Sequence, residues 1–133
     1  GLWVEVKNWG EAGFGLENHT SYHSNLSNPN WIEADYQADI MDAANEIRQR
    51  TGQPVRALIT PFGSGYDLTN GTLFPGVANA CKAADSPLVV GIVGGRSAIQ
   101  LPTSQRAVYY LGRCTMGIND SNASGIWEVE HWV

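Results

Sequence analysis

Along the chain, apolar and polar positions fall into blocks whose period changes several times. From Leu2 to Ala12, Trp3, Val6 and Trp9 recur at helical spacing with Glu5, Lys7 and Glu11 outside them, which predicts an amphipathic helix packed by its tryptophans. Gly13 ends it, and Phe14 to Glu17 reads as a short buried strand. After the break at Pro29, Trp31 to Arg50 is the strongest helix, with Ile32, Tyr36, Ile40, Ala43, Ala44 and Ile47 on one stripe and Gly52 placed to terminate it. Val55 to Thr60 is rich in apolar and β-branched residues and reads as a central strand. Pro61 to Asp67, with two glycines after a proline, reads as loop.

A helix from Leu73 or Pro75 to Ala84 follows, opened by a proline suited to a first turn. Leu88 to Val93 lacks polar alternation, as a parallel strand covered on both faces does. Gly94 to Gln105 is irregular, Ala107 to Cys114 reads as a strand, and Ile118 to Ser124 as a polar turn. Ile126, Val129 and Trp132 then begin a closing amphipathic helix that also carries His131. This alternation is that of an α/β fold built of parallel βα units, with too few strands to close a barrel.

Composition narrows the function classes. At 133 residues the chain is at most one ordinary domain, and 43% hydrophobic with 16% charged residues is a globular balance. The formal charge of −5, with eight dispersed Lys and Arg, argues against a nucleic-acid partner. No apolar run approaches the ~20 residues that cross a bilayer, which argues against a membrane partner, and no secretory leader pattern opens the chain. The first residue is Gly1 rather than Met, as in a processed product or a fragment. Cys81 and Cys114 leave two possibilities open, a single disulfide or two buried thiols. Asn18, Asn25, Asn70, Asn119 and Asn122 all satisfy Asn-x-(Ser/Thr), which favours an extracytoplasmic, secreted or surface-associated protein.

The candidate chemistry lies in Gly13-Phe14-Gly15-Leu16-Glu17-Asn18-His19-Thr20-Ser21-Tyr22-His23-Ser24-Asn25-Leu26. His19 and His23 are four residues apart directly after an apolar segment. On a helical turn that spacing puts both imidazoles on one face, near enough to reach one metal ion. The whole stretch resembles the second motif of the polysaccharide deacetylases, carbohydrate esterase family four or NodB homology domain. In that family a strand ending in Gly-Asn-His-(Ser/Thr) delivers a His-(Ser/Thr)-x-x-His pair to a divalent metal.

A second match supports the first. Ile59-Thr60-Pro61-Phe62-Gly63 falls where the resemblance predicts the third motif, commonly Arg-Pro-Pro-Tyr-Gly. Pro61 and Gly63 fit it and Phe62 stands for the tyrosine, whose backbone N–H helps hold the oxyanion. Ile59 replaces the arginine that braces the catalytic aspartate, so either Arg56 or Arg96 compensates from elsewhere or the base is differently tuned. The family's Asp-Asp pair, which supplies general base and third metal ligand, is not found; neither is its Leu-His, and Gly94-Gly95-Arg96-Ser97 does not match the tryptophan-bearing fourth motif. Residues 1–133 are therefore expected to form a single partial domain, part of a distorted (β/α) barrel and incomplete at both ends.

The resemblance implies a metal-dependent hydrolase that removes N-acetyl groups from an N-acetylated polysaccharide such as chitin, peptidoglycan or a surface glycan. His19 and His23 would hold the divalent metal, most simply zinc, and Phe62 would be the backbone oxyanion donor. Pro61, Gly63 and Trp31 would meet the substrate. The competing reading is a non-catalytic deacetylase-like domain that binds glycan or serves assembly in a larger surface or virion particle.

Overall fold

The computed structural model describes residues 1–91 and 108–112. The expectations for Gly94 to Gln105, the polar turn, the closing helix with His131, and for Arg96, Cys114, Asn119 and Asn122 lie outside the described residues. Three strands form a parallel sheet in the order β1 (Ala57–Ile59), β4 (Leu88–Val90), β5 (Tyr109–Leu111). Ala57 is in register with Leu88, and Leu88 with Tyr109. The predicted strands at Val55, Leu88 and Ala107 are thus present and parallel over these residues.

Helix α1 (Leu2–Glu11) forms as its periodicity predicts, but its tryptophans do not both pack. Gly10 is buried, Trp3 is half-buried and Trp9 is 52% exposed. At 3.6 residues per turn, Trp3, Val6 and Gly10 share a face while Trp9 lies roughly a quarter turn away, so the helix rolls onto its glycine side. The Arg50 guanidinium sits 5.7 Å over the Trp3 ring.

The long helix forms in three segments: α2 (Glu33–Tyr36), a π turn (Gln37–Met41) and α3 (Asp42–Thr51), closed by left-handed Gly52. Tyr36, Ile40, Ala43 and Ala44 are buried as the stripe requires, whereas Ile32 is 66% exposed because it is the N-cap residue. The Asp35 side chain accepts the Ile32 N–H at 2.9 Å, which serves one of the free donors at the helix start.

Between the first two sheet strands the loop expectation is only partly met. Pro61–Gly63 is a 3-10 turn, and β2 (Tyr66–Asp67) pairs antiparallel with β3 (Thr72–Leu73). Asn70-Gly71 is the turn signal that the apolar pattern passed over. Asp67 Oδ1 accepts the Thr69 and Asn70 N–H groups, and α4 (Pro75–Ala83) follows.

The core lies between the sheet and the helices. Leu26, Tyr36, Ile40, Leu58, Val77, Ala80, Cys81 and Val89 form one buried cluster, with Ala44, Val55 and Ala84 a second. Gly76 is needed for close approach, since a Cβ there would overlap the Tyr36 ring. Cys81 is a free, fully buried thiol, and burial pushes its pKa up to about 12.

The expected strand at Phe14 is the main correction. Phe14 is 69% exposed, and among the described residues the segment meets the sheet at a single parallel bridge, between Asn18 and Leu58. Asn18 N–H donates to Ala57 O at 3.1 Å and its carbonyl accepts Ile59 N–H at 2.8 Å. One residue earlier, a side chain replaces the ladder: Glu17 Oε2 accepts the N–H groups of Arg56 and Ala57 at 2.8 and 2.7 Å. Gly13 and Gly15 lie beside it, and among the described residues no strand neighbours Phe14.

Candidate functional site

The site is built where two loops leave the C-terminal end of β1 and the Asn18 bridge, the end at which parallel sheets collect their functional groups. Residues 19–30 hold no helix, so the helical-turn route to paired histidines is not the one used. Thr20 (φ 67°) and His23 (φ 54°) both adopt the left-handed region, and this double bend brings the rings together. The His19 and His23 centroids are 4.9 Å apart, edge to face.

His19 is oriented by the sheet. Its Nδ1 lies 2.7 Å from Ile59 O. A carbonyl can only accept, so Nδ1 carries a proton, and Nε2 is the nitrogen through which the neutral imidazole would ligate a cation. Ile59 thus contributes its carbonyl at the position where the family places an arginine. Arg56 is exposed at the other end of β1, away from the site.

The loop is strapped to the π turn beneath it. Asn18, fully buried, donates from Nδ2 to Ile40 O at 2.8 Å and accepts Thr20 N–H on Oδ1 at 2.8 Å. Ser21 N–H reaches Asp39 O at 2.9 Å, and Tyr22 N–H reaches Asp39 Oδ1 at 2.8 Å. Asn18 therefore has no free amide to carry a glycan, whatever its sequon. Downstream, Leu26 plugs the core, and its carbonyl accepts the Tyr36 hydroxyl at 3.2 Å.

The Pro61 loop comes against the histidines. Phe62 packs its ring edge to face on His23, centroids 4.8 Å apart. Its backbone is left-handed at φ 56°, a strained conformation for an aromatic residue, and Gly63 follows at φ 67°. Gly63 and Ser64 donate to Thr60 O and Pro61 O, while the Phe62 N–H has no acceptor among the described residues. Two serines join the loops: Ser64 Oγ accepts Leu26 N–H at 2.9 Å and Ser27 Oγ accepts Gly65 N–H at 2.8 Å.

His19, His23, Phe62 and, through the same turn, Pro61 and Gly63 are therefore together. Trp31 is half-buried against the core with its ring edge to face on Tyr36, centroids 5.1 Å apart. Asp67 serves its turn, and the Asn70 hydrogen bonds lower its carboxyl pKa. Tyr66 stacks on Tyr110. Among the described residues no group of three or more His, Cys, Asp or Glu side chains is arranged to hold a metal. The Asp39 and Glu17 anchors were missed in the sequence because a side chain that serves backbone donors leaves no periodic trace.

The family profile described as Polysaccharide deacetylase matches residues 2–73, which is more than half of the chain. The chain belongs to the polysaccharide deacetylase family. No curated protein sequence matches it significantly. Among solved structures, this polysaccharide deacetylase chain is similar to BA0330 from Bacillus anthracis at TM-score 0.60 and 18% identity, over 84% of this chain and 31% of that one. It is similar to the Streptococcus pyogenes deacetylase PplD, solved in complex with acetate, at TM-score 0.57 and 16% identity, over 70% and 37%. A de-N-acetylase from Aggregatibacter actinomycetemcomitans gives TM-score 0.55 and 16% identity, over 84% and 46%. The chain thus spans less than half the length of each, and its parallel α/β units share the fold of the deacetylase barrels.

Proposed function

We propose that this chain carries the metal-binding and oxyanion part of a divalent-metal-dependent N-deacetylase acting on an N-acetylated glycan such as chitin, peptidoglycan or a surface polysaccharide. The observation that carries this reading is the His19–His23 pair, with His19 Nδ1 bonded to Ile59 O so that Nε2 is the nitrogen left to ligate. His19 and His23 would hold the cation, and zinc is a metal that imidazole ligands suit. When bound, such a cation supplies polarisation of an amide carbonyl and a lowered pKa for water.

The remaining roles belong to the protein's own groups. The Phe62 N–H, which has no acceptor among the described residues, is available to an oxyanion beside the histidines. Pro61 and Gly63 fix the direction of that N–H. The Phe62 ring holds His23 in place and, being 66% exposed, offers a face to a sugar. The half-exposed edge of Trp31 is a further surface for the glycan. An extracytoplasmic location fits such a substrate and draws on the sequons other than Asn18.

The test is zinc affinity by chelator competition, together with acetate release from N-acetylated chitooligosaccharides and peptidoglycan fragments, on the protein and its His19→Ala and His23→Ala variants. Loss of zinc binding by at least about a hundredfold and loss of acetate release in both variants are expected. Zinc-independent acetate release, or release undiminished by either variant, would overturn the reading. Histidine-dependent zinc binding with no acetate release from any of these glycans would favour the non-catalytic reading.

A further inference from the structure

Asp39 has no role in the family motifs, yet it is the one buried carboxylic acid among the described residues, 2% exposed. It lies within the π turn, where the helix bonds i to i+5, as Asp42 N–H to Gln37 O shows. Here the helix turns groups outward. Asp39 O accepts Ser21 N–H, Asp39 Oδ1 accepts Tyr22 N–H and Ile40 O accepts Asn18 Nδ2. Each of these donors lies in the six residues that begin one before His19 and end at His23.

The second carboxyl oxygen, Oδ2, is buried and has no hydrogen-bond partner among the described residues. A buried, unpaired carboxyl oxygen works against folding, and an apolar side chain of similar volume in its place would stabilise the helix. Asp39 is thus a poor choice for the helix and a good one for the loop. Tyr22 directly precedes left-handed His23, so the bond at its N–H fixes the chain where the bend toward His19 is made.

We propose that Asp39 is a positioning residue for the histidine pair: from the π turn, its Oδ1 holds the Tyr22 N–H and so keeps the His23 ring against His19. The functional meaning of this arrangement rests on the metal reading above, but the geometric claim does not. Asp39 need not touch the cation, and acts through the backbone that carries His23. Partners that orient ligands in this indirect way typically change metal affinity roughly ten- to a hundredfold when removed.

The experiment compares Asp39→Leu, Asp39→Asn and the unchanged protein. Three measurements are made: denaturation midpoint, the nuclear Overhauser contact between the His19 and His23 rings in the zinc-free protein, and affinity for Zn2+ alone. Asp39→Leu is expected to match or exceed the parent in stability while losing the ring contact and roughly ten- to a hundredfold in zinc affinity. Asp39→Asn retains an oxygen for the Tyr22 N–H and is expected to recover the ring contact and most of the affinity. A purely structural residue would show the reverse, a drop in stability with ring contact and affinity preserved in what folds, and that result would overturn the proposal. So would an Asp39→Asn protein as defective as Asp39→Leu. If Asp39→Leu does not fold, Asp39→Ser, too short to reach Tyr22, takes its place with the same expectations for ring contact and affinity. Absence of histidine-dependent zinc binding in the parent would overturn the metal reading alone, because the ring contact in zinc-free protein still decides on Asp39.

Discussion

The histidine loop and the core beneath it are made definite in different ways. From Asn18 to His23 only Asn18 is buried, both histidines are exposed, and the chain is held by directional bonds to Ile40, Asp39 and Ile59. In the core, Leu26, Ile40, Leu58, Val77 and Val89 are fully buried and are held by shape and exclusion of water. The loop tolerates left-handed residues and exposed aromatics that a packed interior would reject; the core has no such strain to store. The lesson is a division of tasks, in which close packing gives stability and a small set of hydrogen bonds gives the position of two rings.

That division can be broken from either side, starting with the core. Leu58→Ala removes a fully buried side chain in the central part of β1 and is expected to lower stability by about 2–5 kcal/mol in chemical denaturation. Below the unfolding transition the His19–His23 contact should persist. Gly76→Ala attacks the same core by overpacking, because its methyl would overlap the Tyr36 ring; about 1–3 kcal/mol should be lost. A stability equal to the parent's would show that α4 can slide away from the long helix.

Phe62→Gly sharpens the comparison, since loop and core should respond with opposite signs. Relieving φ 56° should raise stability by about 1 kcal/mol, while removal of the ring that braces His23 should loosen the pair and weaken zinc binding. Stability and affinity moving in the same direction would show that the strain has no part in the site.

The smallest expected effect is at Tyr36, where the two regions meet. Tyr36→Phe removes its bond to Leu26 O and should lower stability by ~0.5–1.5 kcal/mol. Burial first, then the nearby Asp35 and Glu33 charges, raises the phenol pKa above its ordinary value of 10.0. The fold thus favours the neutral phenol. Its contribution is fully present below pH 10.0 and is lost as pH rises through the higher folded value. In Tyr36→Phe that part of the alkaline loss of stability should disappear, measured as the denaturation midpoint against pH.

Packing was the legible part of this sequence, and directional bonding the illegible part. The stripe from Tyr36 to Ala44, the Gly52 terminator and the strands at Leu58 and Val89 follow from period and composition, because burial acts on every residue of a face. Trp9 was misread because a large apolar side chain counts toward a stripe even when it sits at its margin. The histidines were found through their spacing and motif, although the chain reaches that geometry through two left-handed residues rather than a helical turn. The π turn left no sign, since its purpose lies with Ser21 and Tyr22, far from it in sequence.

The outer side of β1 has a consequence for association. Ala57 N–H goes to the Glu17 carboxyl, Ala57 O to Asn18 N–H, Ile59 N–H to Asn18 O and Ile59 O to His19 Nδ1. Three consecutive residues therefore occupy the hydrogen-bonding positions that a strand would take, two of them with side chains. An extended segment from another molecule finds the donors and acceptors at Ala57 and Ile59 already engaged, so the same imidazole that faces His23 also helps to close this edge of the sheet to strand addition.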